Sequence, residues 1–205
     1  MVKCLDDNIC RILAALRKNG QIERTIIVFT SDHGDLCGEH GRLNKGVPYE
    51  GSARIPFLIY TPGKIKGGTV VNEALSCVDF MPTVMNLMDI KHGQKVDGRD
   101  ASRLFTGAQI GWKDIAFIRS TSNPRQQWLC AVTDRYKLVY SSMGDPWLFD
   151  LQKDSDEMTN LFSDPASKKV LTEMTTQLRD YCKLQKDPYA DLEQIKSAMD
   201  KVLSK

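Results

Sequence analysis

No apolar run in this 205-residue sequence approaches the roughly 18 residues that a membrane-spanning helix needs, so no membrane span is expected. Charge of one sign is missing too: 28 basic against 26 acidic residues leave +2, which gives no surface suited to nucleic acid or another polyanion. The six cysteines, at 4, 10, 37, 77, 130 and 182, form no Cys-x-x-Cys pair, which excludes a zinc cage and a dithiol redox motif and favours reduced core thiols. No Asn-x-Ser/Thr acceptor occurs, and there is neither an internal repeat nor a low-complexity tract. The opening Met1-Val2-Lys3-Cys4-Leu5-Asp6-Asp7 turns acidic before an apolar signal core can form. A soluble chain without a signal peptide is expected, and its compartment stays open.

What is present is an ordinary globular mixture, 41% hydrophobic and 26% charged, long enough to bury a sizeable core. Thr25-Ile26-Ile27-Val28-Phe29-Thr30 reads as a strand buried on both faces, and it runs straight into Ser31-Asp32-His33-Gly34. In open α/β sheets ligands bind just beyond the carboxyl ends of strands, so Asp32 and His33 are the leading metal-ligand candidates. The alternatives are a turn cap for Asp32 and a satisfied core imidazole for His33.

Leu5, Ile9, Ile12, Leu13 and Leu16 recur at helical spacing ahead of this strand. Residues 34–54 hold Gly34, Gly38, Gly41, Gly46, Gly51 and Pro48, a density that fits a loop wrapped against a ligand. A second strand is expected at 55–60, followed by a helix capped by Asp79. Strand and helix alternate to about residue 105, which argues for α/β architecture. After Gly107 come four short strand-like runs, 115–119, 128–132, 136–140 and 147–150, whose brief turns require antiparallel neighbours. Two amphipathic helical segments follow. The expectation is two parts: residues 1–107 as part of a mixed sheet with flanking helices, and residues 108–205 as a small four-stranded antiparallel sheet with a packed helix.

One carboxylate and one imidazole cannot fill the shell of a divalent ion. Lys45, in Arg42-Leu43-Asn44-Lys45-Gly46, adds an ammonium within the glycine-rich loop, and a cation beside an ammonium suits an anionic tetrahedral group. Lys45 alone would read as a solvated surface lysine. His40 and Glu39 read as structural members of the loop, Glu50 and Arg54 as a bracing pair, Cys37 as inert, and Trp128 and Trp147 as core aromatics. His92, in a turn, receives no role.

Ser31-Asp32-His33-Gly34-Asp35, Gly38-Glu39-His40-Gly41, Lys45-Gly46, Tyr49-Glu50-Gly51 and Arg54-Ile55-Pro56 follow, in order and spacing, a known pattern. So do Asp79-Phe80-Met81-Pro82-Thr83, Asp97-Gly98-Arg99-Asp100, Tyr136-Lys137-Leu138-Val139 and Leu148-Phe149-Asp150-Leu151. Over residues 5–180 the chain resembles the sulfatase family of the alkaline-phosphatase superfamily. The resemblance implies a sulfuric-ester hydrolase in which Asp32 and His33 bind a divalent cation, usually calcium and in some relatives magnesium or manganese. It implies that Lys45 contacts the sulfate or its bridging oxygen.

The same family carries, well upstream, a Cys-x-Pro-Ser-Arg or Ser-x-Pro-Ser-Arg signature whose first residue becomes the formylglycine nucleophile. No cysteine or serine here stands in that pattern. The expectation is a carboxy-terminal portion, inactive alone, whose substrate is a sulfate ester and whose formylglycine belongs to an upstream region. Its partner would be that amino-terminal part, or a second copy of itself. Three histidines are few for a two-metal phosphatase, which favours the one-metal sulfatase type; the alternatives are a phosphonate or phosphate ester hydrolase of the same superfamily, or a catalytically inactive remnant that works by binding.

Overall fold

The computed structural model describes residues 1–91, 93–108, 111–120 and 127–204; His92 lies outside them. The first helix, α1 (Val2–Lys18), runs to Gly20, whose φ of +65° turns the chain toward β1 (Ile27–Thr30). A four-residue helix, α2 (Glu50–Ala53), precedes β2 (Phe57–Tyr60). Both strands begin later than the expected 25 and 55. In β2 the reason is Pro56, which has no N–H to give to a ladder.

Among the described residues β1 and β2 pair only with each other, antiparallel, with Phe29 opposite Leu58 and Ile27 opposite Tyr60. Opposed residues share a face of the sheet. On one face Phe57 packs edge-on to Phe80 and tilted against Phe105, from the helices α3 (Phe80–Leu87) and α4 (Ser102–Phe105). The other face is open: Phe29, Leu58 and Tyr60 are 40%, 62% and 46% exposed. The expected burial of this strand on both faces is therefore corrected, because these residues cover one face and leave the other bare. α1 is likewise amphipathic yet contains no buried residue.

Asp79 stands at the N-cap position of α3 as expected, but its side chain bonds no amide of that helix and serves the turn before it. Ser76 is the cap of the preceding turn, and the Asp79 carboxylate accepts from the Ser76 N–H at 2.9 Å and the Arg99 N–H at 2.7 Å. Arg99 then donates to the carbonyls of Lys113 and Ile115 and lies 3.9 Å over the Trp112 ring. Gly98 makes this joint possible, since a Cβ there would fall 1.8 Å from the Val78 oxygen. Thus Asp79 and Asp97-Gly98-Arg99 tie the first sheet's helices to the start of the second sheet.

That second sheet is four-stranded and antiparallel in the order β3 (Ala116–Arg119), β4 (Trp128–Val132), β5 (Tyr136–Ser141), β6 (Trp147–Asp150), as its brief turns require. Alternation sorts its side chains. Leu129, Ala131, Leu138, Tyr140 and Leu148 face α5 (Lys168–Gln185) and α6 (Glu193–Leu203), meeting Met174, Leu178, Ile195 and Met199 in one core. Each such large side chain contributes about 1.5–3 kcal/mol by leaving water. The opposite face carries Trp128, Cys130 and Val139 and is not left to solvent. Of the cysteines only Cys130 and Cys182 are buried; Cys4, Cys10, Cys37 and Cys77 are exposed, which corrects the expectation of core thiols. Burial raises Cys130 to about 12, so it is an inert thiol.

Arg135 grips Asp150 through Nε and Nη2, at 3.1 and 2.8 Å, where β5 meets β6. That hydrogen bonding holds the Asp150 carboxyl below its ordinary value of 3.8. A depressed carboxylate contributes stability that is complete above its unfolded value and disappears as pH falls through the folded one. Asp150→Asn should therefore lower the urea midpoint at neutral pH, with the gap to the unaltered chain closing below about pH 4, as titrated unfolding curves would show.

Candidate functional site

The site is built where β1 ends. The Asp32 Oδ1 accepts the N–H of the next residue, His33, at 3.0 Å, just past the end of the strand. His33 Nδ1 lies 2.8 Å from the Gly34 carbonyl. A carbonyl only accepts, so Nδ1 carries the hydrogen, as in a metal-binding histidine whose second nitrogen is held by backbone. Nε2 is then turned toward the Asp32 Oδ2, 3.5 Å away, and both groups are open to solvent, 44% and 85% exposed.

Gly34 next comes against α2. Its N–H donates to the Ser52 carbonyl at 2.9 Å, and a Cβ at this position would stand 2.0 Å from the Gly51 oxygen. The Ser52 hydroxyl accepts the Gly46 N–H at 3.1 Å. One buried serine thus holds both the residue after His33 and the residue after Lys45. Between them the loop closes on itself, Leu36 N–H to the Asn44 carbonyl at 2.8 Å and Gly38 N–H to the Arg42 carbonyl at 2.9 Å, around the buried Leu36 side chain. Asn44, with φ of +73°, turns the chain so that Lys45 emerges exposed.

Asp35 is held below its ordinary value by the Cys37 N–H, then by the Cys37 thiol, and the Lys45 ammonium adds to this, so Lys45 is within electrostatic reach of the turn after His33. The same Asp35 hydrogen bond pushes the Cys37 thiol up, which agrees with an unreactive cysteine. His40 stacks on Tyr49 with centroids 3.7 Å apart, a structural contact, and Glu50 faces Arg54 at 3.7 Å. Trp147 stacks on the other side of Tyr49 at 4.9 Å, and the Trp128 Nε1–H donates to the Gly46 carbonyl at 3.2 Å.

Sequence reasoning assigned no role to Lys137 or Glu157. Lys137 is 1% exposed, and its ammonium reaches the Pro48 carbonyl at 2.8 Å, Glu157 at 2.8 Å and Glu50 at 2.5 Å. Burial works to lower this ammonium, and Cys130, Glu50 and Glu157 more than reverse it, so it is held above its ordinary value. Its partners lie 20 to 89 residues away in sequence, out of range of any local pattern.

A carboxylate oxygen with an imidazole nitrogen is a donor pair of the kind that suits a divalent ion, and two such donors would make up only part of a shell. Among the described residues no group of three or more His, Cys, Asp or Glu side chains converges, so further ligands would have to be added to Asp32 and His33.

Residues 38–184 match the family model for the carboxy-terminal region of N-sulphoglucosamine sulphohydrolase, and residues 1–70 match a family of unknown function, DUF229. An arylsulfatase of Clostridium perfringens is 37% identical over 169 residues, which cover 80% of this chain and 35% of that protein. The chain thus spans about a third of the length of such relatives. The structure of BT4656 in complex with its substrate D-glucosamine-2-N,6-O-disulfate superimposes with a TM-score of 0.78 at 27% identity, covering 95% of this chain and 40% of that one. A phosphonate monoester hydrolase of Agrobacterium radiobacter gives a TM-score of 0.74 at 28% identity, over 87% of this chain and 39% of that one. With 37% identity to an arylsulfatase over 80% of its length and a carboxy-terminal family model matched over residues 38–184, the chain belongs to the sulfatase family and corresponds to its carboxy-terminal region.

Proposed function

We propose that the chain supplies the distal half of a sulfuric-ester hydrolase site: Asp32 and His33 hold part of the shell of a divalent cation, calcium by preference, and Lys45 contacts the sulfate. The observation that carries this reading is the junction at Ser52, which fastens the Asp32-His33 turn and the Lys45 loop to one point. The metal, when bound, would polarise a sulfate oxygen. Lys45 then neutralises a second oxygen or the departing ester oxygen as charge moves onto it, and its exposed, unburied stem lets it follow that charge. Residues 1–107 carry this site and residues 108–205 support it. The nucleophile is to be sought in sequence joined to this chain, where a Cys/Ser-x-Pro-Ser-Arg segment is expected.

The test is hydrolysis of an aryl sulfate and of the matched aryl phosphonate monoester by the protein encoded through and upstream of these residues. Preference for the sulfate supports the proposal. Preference for the phosphonate would favour the second reading, which the likeness to the Agrobacterium radiobacter enzyme motivates.

The bare face of β1 and β2 supports a partner for this chain, either the amino-terminal part of the enzyme or a second copy. Expressed as these 205 residues, the chain should sediment as an associating species. Leu58→Lys, which places a charge on the open face, should shift it toward monomer and remove the dependence of its melting temperature on protein concentration; a calcium-independent monomer from the outset would contradict this.

A further inference from the structure

We infer that Lys137, with Glu50 and Glu157, is a positioning device that docks the site loop onto the second sheet and thereby sets where Lys45 and His33 stand. The inference takes its purpose from the role proposed for Lys45. Its geometry stands by itself.

On β5, Leu138 and Tyr140 point to the helices, and Lys137 points the other way, with Val139, into the space under residues 46–50. All three ammonium hydrogens have acceptors, the Pro48 carbonyl and the two carboxylates. Glu157, 4% exposed and held at φ of +53°, uses its second oxygen to accept the Glu50 N–H at 2.6 Å. Glu50 is the first residue of α2, and α2 carries Ser52, which binds the amides beside His33 and Lys45. Trp128 to the Gly46 carbonyl and Trp147 to Tyr49 complete the docking surface.

A buried ion set gives little net stability compared with packed hydrocarbon, while it fixes one arrangement of its partners because only that one satisfies every charge. Here the three charged groups come from three separate segments, and one of them, Glu50, belongs to α2, the segment that holds the site together.

The experiment is residue-resolved amide exchange on the chain, with Lys137→Met as the variant. Protection of the Gly34 and Gly46 amides should fall at least about tenfold more than that of the β4–β5 ladder, because the loop opens as a separate unit. The Trp128 indole N–H resonance should move while that of Trp112 stays, a signature that general destabilisation does not produce. Equal loss across loop and ladder would reduce Lys137 to a structural residue and overturn the inference. Should Lys137→Met fail to fold, Glu157→Gln, which keeps shape and a hydrogen bond, should show the same localisation in milder form. In the unaltered chain the Gly34 and Gly46 amides should share one opening, and rates differing by more than about tenfold would also overturn it. None of these readouts needs catalysis, so a loop released by Lys137→Met in a protein that hydrolyses no sulfate would refute the functional reading and leave the docking device in place.

Discussion

Replacing Lys45 with alanine in the catalytically complete protein is expected to lower aryl-sulfate turnover by about 10²–10³-fold, the usual cost of deleting one donor from a site where negative charge develops. The fold should not register the change. Lys45 is exposed, and its backbone position is set by neighbours: Asn44 is paired with Leu36, and Gly46 is held by Ser52 and Trp128. Substitution of such a side chain alters stability by no more than about 0.5 kcal/mol. Arginine at this position should restore only part of the rate, since a planar fork replaces a compact, rotatable ammonium. A variant that keeps full turnover would remove Lys45 from the site.

Gly34→Ala is expected to have the next largest effect, through position rather than charge. Its methyl group would lie 2.0 Å from the Gly51 carbonyl oxygen and 3.0 Å from the Gly51 carbonyl carbon, and backbone cannot swing aside as a long side chain can. β1 and α2 must separate, at a cost of about 1–3 kcal/mol or more. Separation carries Asp32 and His33 away from Lys45, and a displacement of about 1 Å between reacting partners is enough to lose about 10² in rate. Thermal melting and turnover should therefore fall together. Gly144→Ala, where a Cβ would meet nothing within 4 Å, is the matched control and should change neither.

The second sheet was legible because its physics is local. The apolar runs at 128–132 and 147–150 alternate or stay buried within single strands, and the turns between them are too short for any crossover, so both bounds and pairing follow from a few residues at a time. The two ends of the proposed site stand out in the sequence for a different reason: Asp32 and His33 follow an apolar run, and Lys45 stands among glycines. What joins them could not be read. Ser52 looks like any small loop residue until its carbonyl and hydroxyl are seen to serve amides 18 and six residues away in the chain. Lys137 sits in an alternating strand where a lysine normally faces water, and only the distant Pro48, Glu50 and Glu157 make it a buried residue. The exposed face of β1 misled in the opposite direction. Its composition calls for cover on both sides, and composition does not say which residues provide it.

The central claim, that the turn at Asp32-His33 and the ammonium of Lys45 border one cation site, is tested most directly by adding Mn²⁺ to the chain and reading paramagnetic broadening of its amide resonances. The amides of His33, Gly34 and Lys45 should broaden together at the lowest metal concentration that broadens any, and Asp32→Asn should abolish all three effects while leaving the spectrum otherwise intact. Broadening that begins elsewhere and spares Lys45, or that survives Asp32→Asn unchanged, would contradict the account.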